Sequence, residues 1–545
     1  MLHCLTFIIA IWLFWANPAE AAVWFSGGMD LEKTLSAPKV NVVGHEAPTE
    51  ELNIFYAARG YKPAWDFSGS HNTATLNTFL DSLEKLITYH GLVRSNYAID
   101  AIRTMDTTHL ENQIKLELSV TDTLLHLAHD LHGDSVDLNT LYPGWVFYRS
   151  EIDIPSLLAA AVNTNSLNDF IQSLTPKNPS YEQLAQGLET YRAMAVAGAW
   201  PLISSGPTLR PNDTHPRIAQ LRARLAAENY LPSTTTLLDP NLYDMELKIA
   251  VEAYQLRNGL ETDGLIGKKV LEALNTPIEK RIEQIMANME RWRHMPDDFP
   301  PQRYALVNIP NASIVINEDG KDVYRGNVIV GRVDRKTPFI SSAIRSMIVN
   351  PSWHVPSKIA RKDILPKLRE DPHYLEKLGF TIRGSEDDPH GENIDWVSMQ
   401  EKEFNFRLRQ APGDQNSLGR LKFDFDNEFA VYIHGTPHQE LFQKNERALS
   451  SGCIRLHDPE QVAELLLAHN KSRWDAERIS NEISSNKTHW VPIDQPMPLY
   501  ILYWTVFMDE NKQINFRKDV YDYDTFLMQN MTGSDIPTKQ VSEKH

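Results

Sequence analysis

The chain has 545 residues, of which 42% are hydrophobic and 23% are charged, and its formal net charge is -17 at pH 7. A chain of this length exceeds one ordinary hydrophobic core, so we expect two to four domains. The acidic balance disfavours nucleic acid as a partner, because no basic excess is available to neutralise phosphates.

The N-terminus has the features of a secretory signal. The apolar run from Cys4 to Trp15 is shorter than the ~20 residues that a membrane-spanning helix needs. Pro18 follows it, and Ala19-Glu20-Ala21 has the small-residue pattern of a signal-peptidase site. We therefore predict a signal peptide over residues 1–22 and no stable membrane span. Because Met1-Leu2-His3 contains no Lys or Arg, an uncleaved short anchor is the alternative.

The region after the signal has mainly helical patterning. Within Thr73–Tyr89 the apolar residues recur on one helix face, at Leu76, Phe79, Leu80, Leu83 and Leu86. We predict a helical scaffold domain over residues 23–200. His126, His129 and His132 recur three residues apart in it, but nothing near them provides the open coordination of a catalytic metal. We interpret them as the solvated edge of a helix and predict no metal site.

Glycines punctuate the next region in a recognisable pattern. From Ala250 to Gly267 the sequence reads AVEAYQLRNGLETDGLIG, which resembles the tail of the three-helix peptidoglycan-binding module. Its glycines suit turn and cap positions that require positive φ. We predict a peptidoglycan-binding-like domain over residues 201–276, with a compact helical spacer as the alternative. The apolar spacing then predicts a linker helix over residues 277–296.

From Tyr304 the apolar residues alternate with a period of two, which is typical of strands. Asp319-Gly320 between two such runs is a hairpin signal. We predict a β-rich catalytic domain over residues 297–530 with a helical cap insertion at 355–415, and a polar tail over residues 531–545. The predicted fold class is multidomain α+β, with a helical scaffold, a three-helix module and a capped β-rich catalytic domain.

His434 and Cys453 carry the strongest chemical signal. His434 ends a predicted strand, and Cys453 follows a polar loop in Ser450-Ser451-Gly452-Cys453. The other cysteine, Cys4, lies in the predicted signal, so Cys453 has no disulfide partner. A free thiol has a pKa near ~8.5, and a neighbouring imidazole generates the reactive thiolate at neutral pH. The pattern predicts a nucleophile and its base; a small buried cysteine beside an unrelated histidine is the alternative.

Neighbouring groups suit the same chemistry. Backbone amides around Gly452 and Cys453 could donate to an oxyanion. Arg455 could screen a thiolate or bind a carboxylate. No Asp lies in the motif, so the Gly435 carbonyl or another backbone group is expected to orient His434.

The stretch from His434 to Arg455 resembles the catalytic signature of the L,D-transpeptidase family, the YkuD-type domain. Residues 350–366, 407–413 and 418–423 resemble the large periplasmic YcbB-like branch of that family, which has the same order of segments. One residue departs from the pattern, because Ser451 stands where the family usually has a second histidine. This replacement bears on the pKa of the Cys453 thiol and on the rate, and not on the family resemblance.

The resemblance implies a role for each residue around this pair. Cys453 would be the nucleophile and His434 the proton donor and acceptor. Backbone groups of Gly452 and Gly435 would bind the oxyanion or orient the histidine. The residues implied in substrate binding are Arg455, Ser450, Ser451, Thr436, Trp353 and Tyr432.

The resemblance also implies a reaction. Cys453 would attack the amide after the third residue of a peptidoglycan tetrapeptide stem, D-Ala would leave, and a side-chain amine of a neighbouring stem would complete a 3–3 cross-link. The partners would be donor and acceptor stem peptides in a Gram-negative periplasm, with no metal or organic cofactor. Cell-wall biogenesis, cell shape and acylation of Cys453 by carbapenems are implied with it. The oligomeric state is not predicted.

Three alternatives share these residues. Water as acceptor would make the protein an L,D-carboxypeptidase, and a protein lysine would make it an enzyme that anchors lipoproteins. A non-catalytic wall-binding scaffold would fit the binding module and Ser451. A generic cysteine protease is disfavoured, since no papain-type or caspase-type signature surrounds Cys453.

Overall fold

The computed structural model of the protein describes residues 30–65, 72–106, 108–232, 239–472 and 474–533. The predicted signal peptide, and residues 534–545 of the predicted tail, lie outside the described residues. Within the described ranges, no helix is both long and apolar enough to cross a membrane.

A helical scaffold forms the first part of the chain, in agreement with the apolar spacing. Its helices are α1 (Leu31–Thr34), α2 (Thr49–Ala57), α3 (Asn72–Tyr89), α4 (Ile99–Arg103), α5 (Leu110–His132), α6 (Leu138–Leu141), α7 (Ile154–Thr164), α8 (Leu167–Leu174) and α9 (Pro179–Ala197). A short hairpin joins β1 (Lys39–Asn41) to β2 (Glu46–Pro48). The long helix α5 is buried on most sides from Leu116 onward, and its Leu124, Leu127 and Leu131 pack into one core with residues of α2, α3, α7 and α8.

The three histidines of α5 do not share a solvated edge, so that interpretation is wrong for His132, which is 7% exposed. His129 lies between Glu51 and Asp134, with Nε2 and Nδ1 at 2.8 and 3.0 Å from their carboxylate oxygens. His126 and His132 also face carboxylates, within 3.7 and 3.8 Å. The spacing that invites a metal interpretation therefore provides ion pairs.

Three helices with a core of their own form the module after the scaffold. They are α10 (Pro216–Ala227), α11 (Met245–Arg257) and α12 (Lys268–Leu274). Gly259 and Gly264 have φ of 64° and 69°, as expected for turn positions. The Gln255 amide is buried and holds the turn, because its oxygen accepts from the Gly264 N–H at 2.9 Å and its nitrogen donates to Asp263 at 2.8 Å.

Helix α13 (Ile278–Arg293) connects this module to the catalytic region and carries buried charges. Glu290 and Arg293 have no exposed surface and form an ion pair, and the Arg293 guanidinium also donates to the His90 carbonyl at 2.8 Å. Arg291 pairs with Asp524 at 2.6 Å. Buried charges are stable only with such partners, so α13 holds the scaffold and the catalytic region together.

The catalytic region is built on a mixed sheet. Its strands, with those of the cap, are β3 (Arg303–Asn308), β4 (Ser313–Glu318), β5 (Lys321–Gly331), β6 (Ile340–Val349), β7 (Trp353–His354), β8 (Phe380–Ile382), β9 (Leu408–Gln410), β10 (Leu421–Phe425), β11 (Ile433–His434), β12 (Ala448–Ser450), β13 (Ile454–Leu456), β14 (His489–Leu502), β15 (Val506–Met508) and β16 (Ile514–Phe516). The order in the sheet is β12-β5-β13-β11-β10-β6-β14-β3-β4, and a further pairing of β4 with β5 closes the sheet on itself. β15 and β16 form a separate hairpin.

A cap is inserted between β6 and β10. Its helices are α14 (Ser357–Ile359), α15 (Leu365–Glu370) and α16 (Tyr374–Lys377), with a π-helical turn, Ala360–Ile364, between the first two. The cap also has a small sheet, β7-β9-β8, which the sequence analysis did not predict. Its apolar core includes Trp353, Leu365, Phe380 and Trp396. The catalytic region is completed by α17 (Pro459–Leu467), α18 (Ala476–Ser484) and α19 (Tyr523–Met531).

Candidate active site

Two neighbouring strands bring His434 and Cys453 together. β11 and β13 run parallel, with Ile433 opposite Ile454 and His434 opposite Arg455. Cys453 directly precedes β13, and the Ile454 N–H donates to the Tyr432 carbonyl at 3.1 Å. Side chains alternate between the two faces of a strand. Ile433 and Ile454 therefore face the apolar core, and the other side of both strands carries the polar residues.

That polar face collects four predicted site residues, Tyr432 and His434 on one strand and Cys453 and Arg455 on the other. The Tyr432 and His434 rings lie 5.6 Å apart. No hydrogen bond between the Cys453 thiol and the His434 ring is present within the described residues. The register instead sets His434 directly opposite Arg455, so that Cys453 is its diagonal neighbour on the same face.

His434 is held as a buried, neutral imidazole. It is 5% exposed, and its Nδ1 lies 2.5 Å from the Gly435 carbonyl oxygen. A carbonyl can only accept, so Nδ1 carries the proton and Nε2 keeps its lone pair. Burial, and then the positive charge of Arg455, lower the pKa of His434 to about 3, although the backbone carbonyls of Gly435 and Leu418 oppose the shift. The imidazole is therefore neutral at physiological pH.

Cys453 is a protonated thiol in this environment. Burial raises the pKa of the Cys453 thiol above its ordinary value. Backbone and side-chain groups of Tyr432 oppose this effect, and so do the positive charges of Lys422 and Arg455. The site thus lacks a resting thiolate, yet it has positive charges that would stabilise one during reaction.

Lys422 is a site residue that the sequence analysis missed. It lies on β10 opposite His434, and its ammonium is 4.3 Å from the centroid of the Tyr432 ring. The alternation Leu421-Lys422-Phe423 was its signal, because the two apolar residues face the core and Lys422 faces the site.

The loop before the nucleophile is shaped by its own hydrogen bonds. Ser450 is 2% exposed, and its hydroxyl donates to the Cys453 carbonyl at 2.5 Å and accepts from the Gly452 N–H at 3.1 Å. These hydrogen bonds lie within the loop, and the predicted substrate contact of Ser450 stays a prediction. The Gly452 N–H, one of the two amides predicted as oxyanion donors, is bonded to the Ser450 hydroxyl. Within the described chain no hydrogen bond uses the other one, the Cys453 N–H.

The other predicted residues lie around this centre. Ser451 accepts at its hydroxyl from Arg335 at 2.8 Å. Thr436 is buried, and its hydroxyl is 3.3 Å from the His438 N–H. Trp353 belongs to the apolar core of the cap, and Tyr432 packs against the same core. The cap therefore touches the site directly through Tyr432.

A cleft of about 600 Å³ opens beside the motif. Gly435 and Thr436 line it together with Gly419, and acidic side chains form much of the rest: Asp414, Asp458, Glu460 and Glu464. Gly419 is required by the close approach of two chains, since its φ is 65° and a Cβ there would lie 2.6 Å from the Gly435 carbonyl carbon.

One group of described residues has three ligand atoms close enough to share a metal ion, namely His373, Glu376 and Glu392. All three are exposed and belong to the cap rather than to the face that holds Cys453. No step of the chemistry below uses them.

Comparisons with known proteins identify the family of this chain. A family model of the L,D-transpeptidase catalytic domain matches residues 302–476. A model of a peptidoglycan binding domain matches residues 214–274, and a scaffold domain model matches residues 50–188. A Haemophilus influenzae protein named "Putative L,D-transpeptidase" is 36% identical over 482 residues, covering 87% of this chain and 78% of that protein. The chain belongs to the L,D-transpeptidase family.

Two solved L,D-transpeptidase structures are also similar to the chain. The one from Xylanimonas cellulosilytica is 13% identical, with a TM-score of 0.17, and covers 55% of this chain and 99% of its own. The one from Stackebrandtia nassauensis is 12% identical, with a TM-score of 0.20, and covers 55% and 96%. At these TM-scores they carry no weight in the assignment, which rests on the family models and the Haemophilus relative.

Membership of the L,D-transpeptidase family indicates the general class of reaction and of substrate. The catalytic domain of the family implies an acyltransferase, and the matched binding domain implies a peptidoglycan substrate. The two matched domains indicate the cell envelope as the location of the protein. The predicted recognition and fold class are confirmed, including the order of scaffold, binding module and catalytic domain.

Proposed function

We propose that this L,D-transpeptidase forms 3–3 cross-links between peptidoglycan stem peptides through an acyl-enzyme on Cys453. The observation that supports the proposal is the strand register, in which Cys453 and His434 lie diagonally on the same polar face, with the Nδ1 proton of the buried histidine held by the Gly435 carbonyl. A protonated thiol beside a neutral, oriented imidazole is the arrangement that general-base catalysis requires.

The first half-reaction acylates the enzyme. His434 Nε2 takes the thiol proton as Cys453 Sγ bonds to the carbonyl carbon of the third residue of the donor tetrapeptide. The carbonyl oxygen becomes an oxyanion, which the Cys453 N–H would stabilise. The intermediate collapses as the C–N bond breaks, and His434 gives the proton to the leaving amine of D-Ala. A thioester on Cys453 remains.

The second half-reaction transfers the acyl group. The side-chain amine of an acceptor stem attacks the thioester carbon and yields its proton to His434. The C–S bond then breaks, and the proton returns to the Cys453 thiolate. Arg455 and Lys422 stabilise that thiolate, since their charges already oppose the upward shift of its pKa. We propose the periplasm as the place of this reaction and stem peptides as both partners.

Incubation of the protein, without residues 1–22, with disaccharide-tetrapeptide tests the proposal. We expect a cross-linked dimer with loss of D-Ala, detected by mass, and no product from Cys453→Ala or His434→Ala. Arg345→Gln is a matched control, since Arg345 forms an exposed pair with Asp426 on the sheet.

The other outcomes separate the alternatives. Tripeptide without dimer would identify an L,D-carboxypeptidase. A product only when a lipoprotein lysine is supplied would identify an anchoring enzyme. No Cys453-dependent product from folded, reduced protein would contradict catalysis and favour the wall-binding scaffold.

A further inference from the structure

A buried arginine joins the cap to the loop that carries Cys453. Arg335 lies between β5 and β6, and its side chain is 7% exposed. Its guanidinium donates to the Ser451 hydroxyl at 2.8 Å and contacts both carboxylate oxygens of Asp363, with Nη2–Oδ1 at 3.0 Å. Asp363 belongs to the cap and Ser451 to the nucleophile loop, so one side chain spans the two.

The segment that bears Arg335 is itself fastened to the nucleophile loop. The Arg332 N–H donates to the Ser450 carbonyl at 3.0 Å, and the Thr337 hydroxyl donates to the Gly452 carbonyl at 2.8 Å. With the bond from Arg335 to Ser451, each of the three residues before Cys453 is held by residues 332–337. The position of this segment therefore sets the position of the nucleophile loop.

The cap end of the contact lies in an irregular helix. Asp363 belongs to the π-helical turn between α14 and α15, and such turns are frequent at functional sites. The Asp363 side chain is 30% exposed, and Arg332 also reaches it, with Nη2–Oδ1 at 3.4 Å. A bidentate pair with one nearly buried partner is stronger and more directional than an exposed surface pair.

We propose that Arg335 is a positioning residue that couples the placement of the cap, through Asp363, to the placement of the nucleophile loop, through Ser451. With the cap in the observed position, the guanidinium is held from both sides and the Ser451 hydroxyl is fixed. Displacement of the cap breaks the contact with Asp363 and leaves Arg335 free to move away from Ser451. The Ser451 hydroxyl thus provides the nucleophile-loop end of this connection.

The coupling deepens the proposed function, since it would align Cys453 only under a closed cap, but its test requires no peptidoglycan. Hydrogen exchange is followed by mass spectrometry in two segments, the cap helices (residues 357–370) and the nucleophile loop (residues 448–455). We compare Asp363→Asn, Arg335→Gln and Arg335→Lys with wild type. Arg345→Gln removes an exposed pair whose partners are 60% and 87% exposed, and it serves as the matched control.

We expect Asp363→Asn to raise exchange in the nucleophile loop, which it does not touch, as well as in the cap. Alkylation of Cys453 by iodoacetamide should accelerate roughly tenfold, in line with the loss of a hydrogen bond to a charged group. Arg335→Lys keeps the positive charge but cannot form the bidentate contact, so it should give intermediate increases in hydrogen exchange and in the alkylation rate. Arg345→Gln should leave both segments and the alkylation rate unchanged.

Faster exchange in the cap alone, or no change in either segment, would overturn the proposal. Ser451→Ala provides a second test if Arg335→Gln does not fold, because it removes only the loop side of the contact. It should raise exchange in the cap helices, and wild-type exchange there would count against coupling. A chain that shows coupling but forms no cross-links would separate this inference from the proposed function.

Discussion

At the scale of single residues, the Cys453 thiol is protonated and the His434 imidazole is neutral. Burial raises the pKa of the Cys453 thiol, while the pKa of His434 falls to about 3. A thiolate–imidazolium pair would need the opposite order of the two pKa values. We therefore expect proton transfer to accompany attack on the substrate.

The pH dependence of Cys453 alkylation tests this order. In protein without substrate, the rate with iodoacetamide should rise in one step with a midpoint above ~8.5, because only the thiolate reacts. It should show no plateau between about pH 4 and pH 7, since His434 is neutral through that range. Tyr432→Phe should move the midpoint upward, because Tyr432 lowers the pKa of the thiol. A plateau at acidic pH that His434→Ala removes would contradict this account.

Motif spacing made some site residues predictable from the sequence, whereas others depend on hydrogen bonds and strand pairing that only the fold creates. Cys453, His434 and Arg455 stand in a motif whose spacing indicates their chemistry, and the strand register places them on one face. Ser450 shares the motif, but its hydroxyl is used inside the loop, which no spacing reveals. Lys422 lies outside the motif and reaches the site only because β10 pairs with β11.

At the scale of elements, the close approach of two segments fixes the site. Gly419 precedes β10, and its Cα hydrogens face the main chain of Gly435 and Thr436 just after His434. Because the Gly435 carbonyl orients His434, the backbone at Gly419 supports the base indirectly.

Substitution of Gly419 tests this support. Gly419→Ala combines a φ of 65° with a Cβ 2.6 Å from the Gly435 carbonyl carbon, and we expect a loss of about 3 kcal/mol in the free energy of unfolding. Cross-linking activity should also fall, because the Gly435 carbonyl must move. Gly379→Ala is the matched control, with a φ of 68° and nothing within 4 Å of its Cβ. Gly379→Ala should lower the free energy of unfolding by about 1 kcal/mol and leave the cross-linking activity unchanged. Equal effects of the two changes would contradict the role of Gly419.

The regular elements were easier to predict than the irregular ones. The alternation after Tyr304 and the turn at Asp319-Gly320 correspond to β3, β4 and β5 in the structure. The strand that was predicted to end at His434 is short, since only Ile433–His434 pairs and Ala430, with a φ of 53°, interrupts the extended backbone before it. The cap sheet joins strands of two or three residues that are distant in sequence, so local patterning carries no signal for it.

At the scale of the whole molecule, α13 joins parts that the sequence separates into domains. Arg293 donates to the His90 carbonyl of the scaffold, and Arg291 pairs with Asp524 near the C-terminal helix. The apolar spacing predicted a linker helix over residues 277–296 but gave no signal for the surroundings of its charged residues. Both arginines are almost fully buried, since the scaffold and the catalytic region enclose them from two sides.

This arrangement makes the catalytic region part of a larger body. The exposed ion pair between Lys269 of the binding module and Glu446, which lies just before β12, at 2.9 Å, adds a third contact, although such surface pairs are weak. The matched peptidoglycan-binding domain and the matched catalytic domain are therefore parts of one connected structure. The central chemical event that we propose for it is the formation of one covalent bond to Cys453.

Intact-mass spectrometry of the protein with a carbapenem-type β-lactam tests that event most directly. We predict one adduct of the mass of the drug, mapped by peptide analysis to Cys453, because ring opening by the thiolate leaves an acyl-enzyme analogous to the donor thioester. The adduct should be absent from Cys453→Ala and should form much more slowly with His434→Ala. An adduct that survives Cys453→Ala, or no adduct on folded and reduced wild-type protein, would contradict the assignment of Cys453 as the nucleophile.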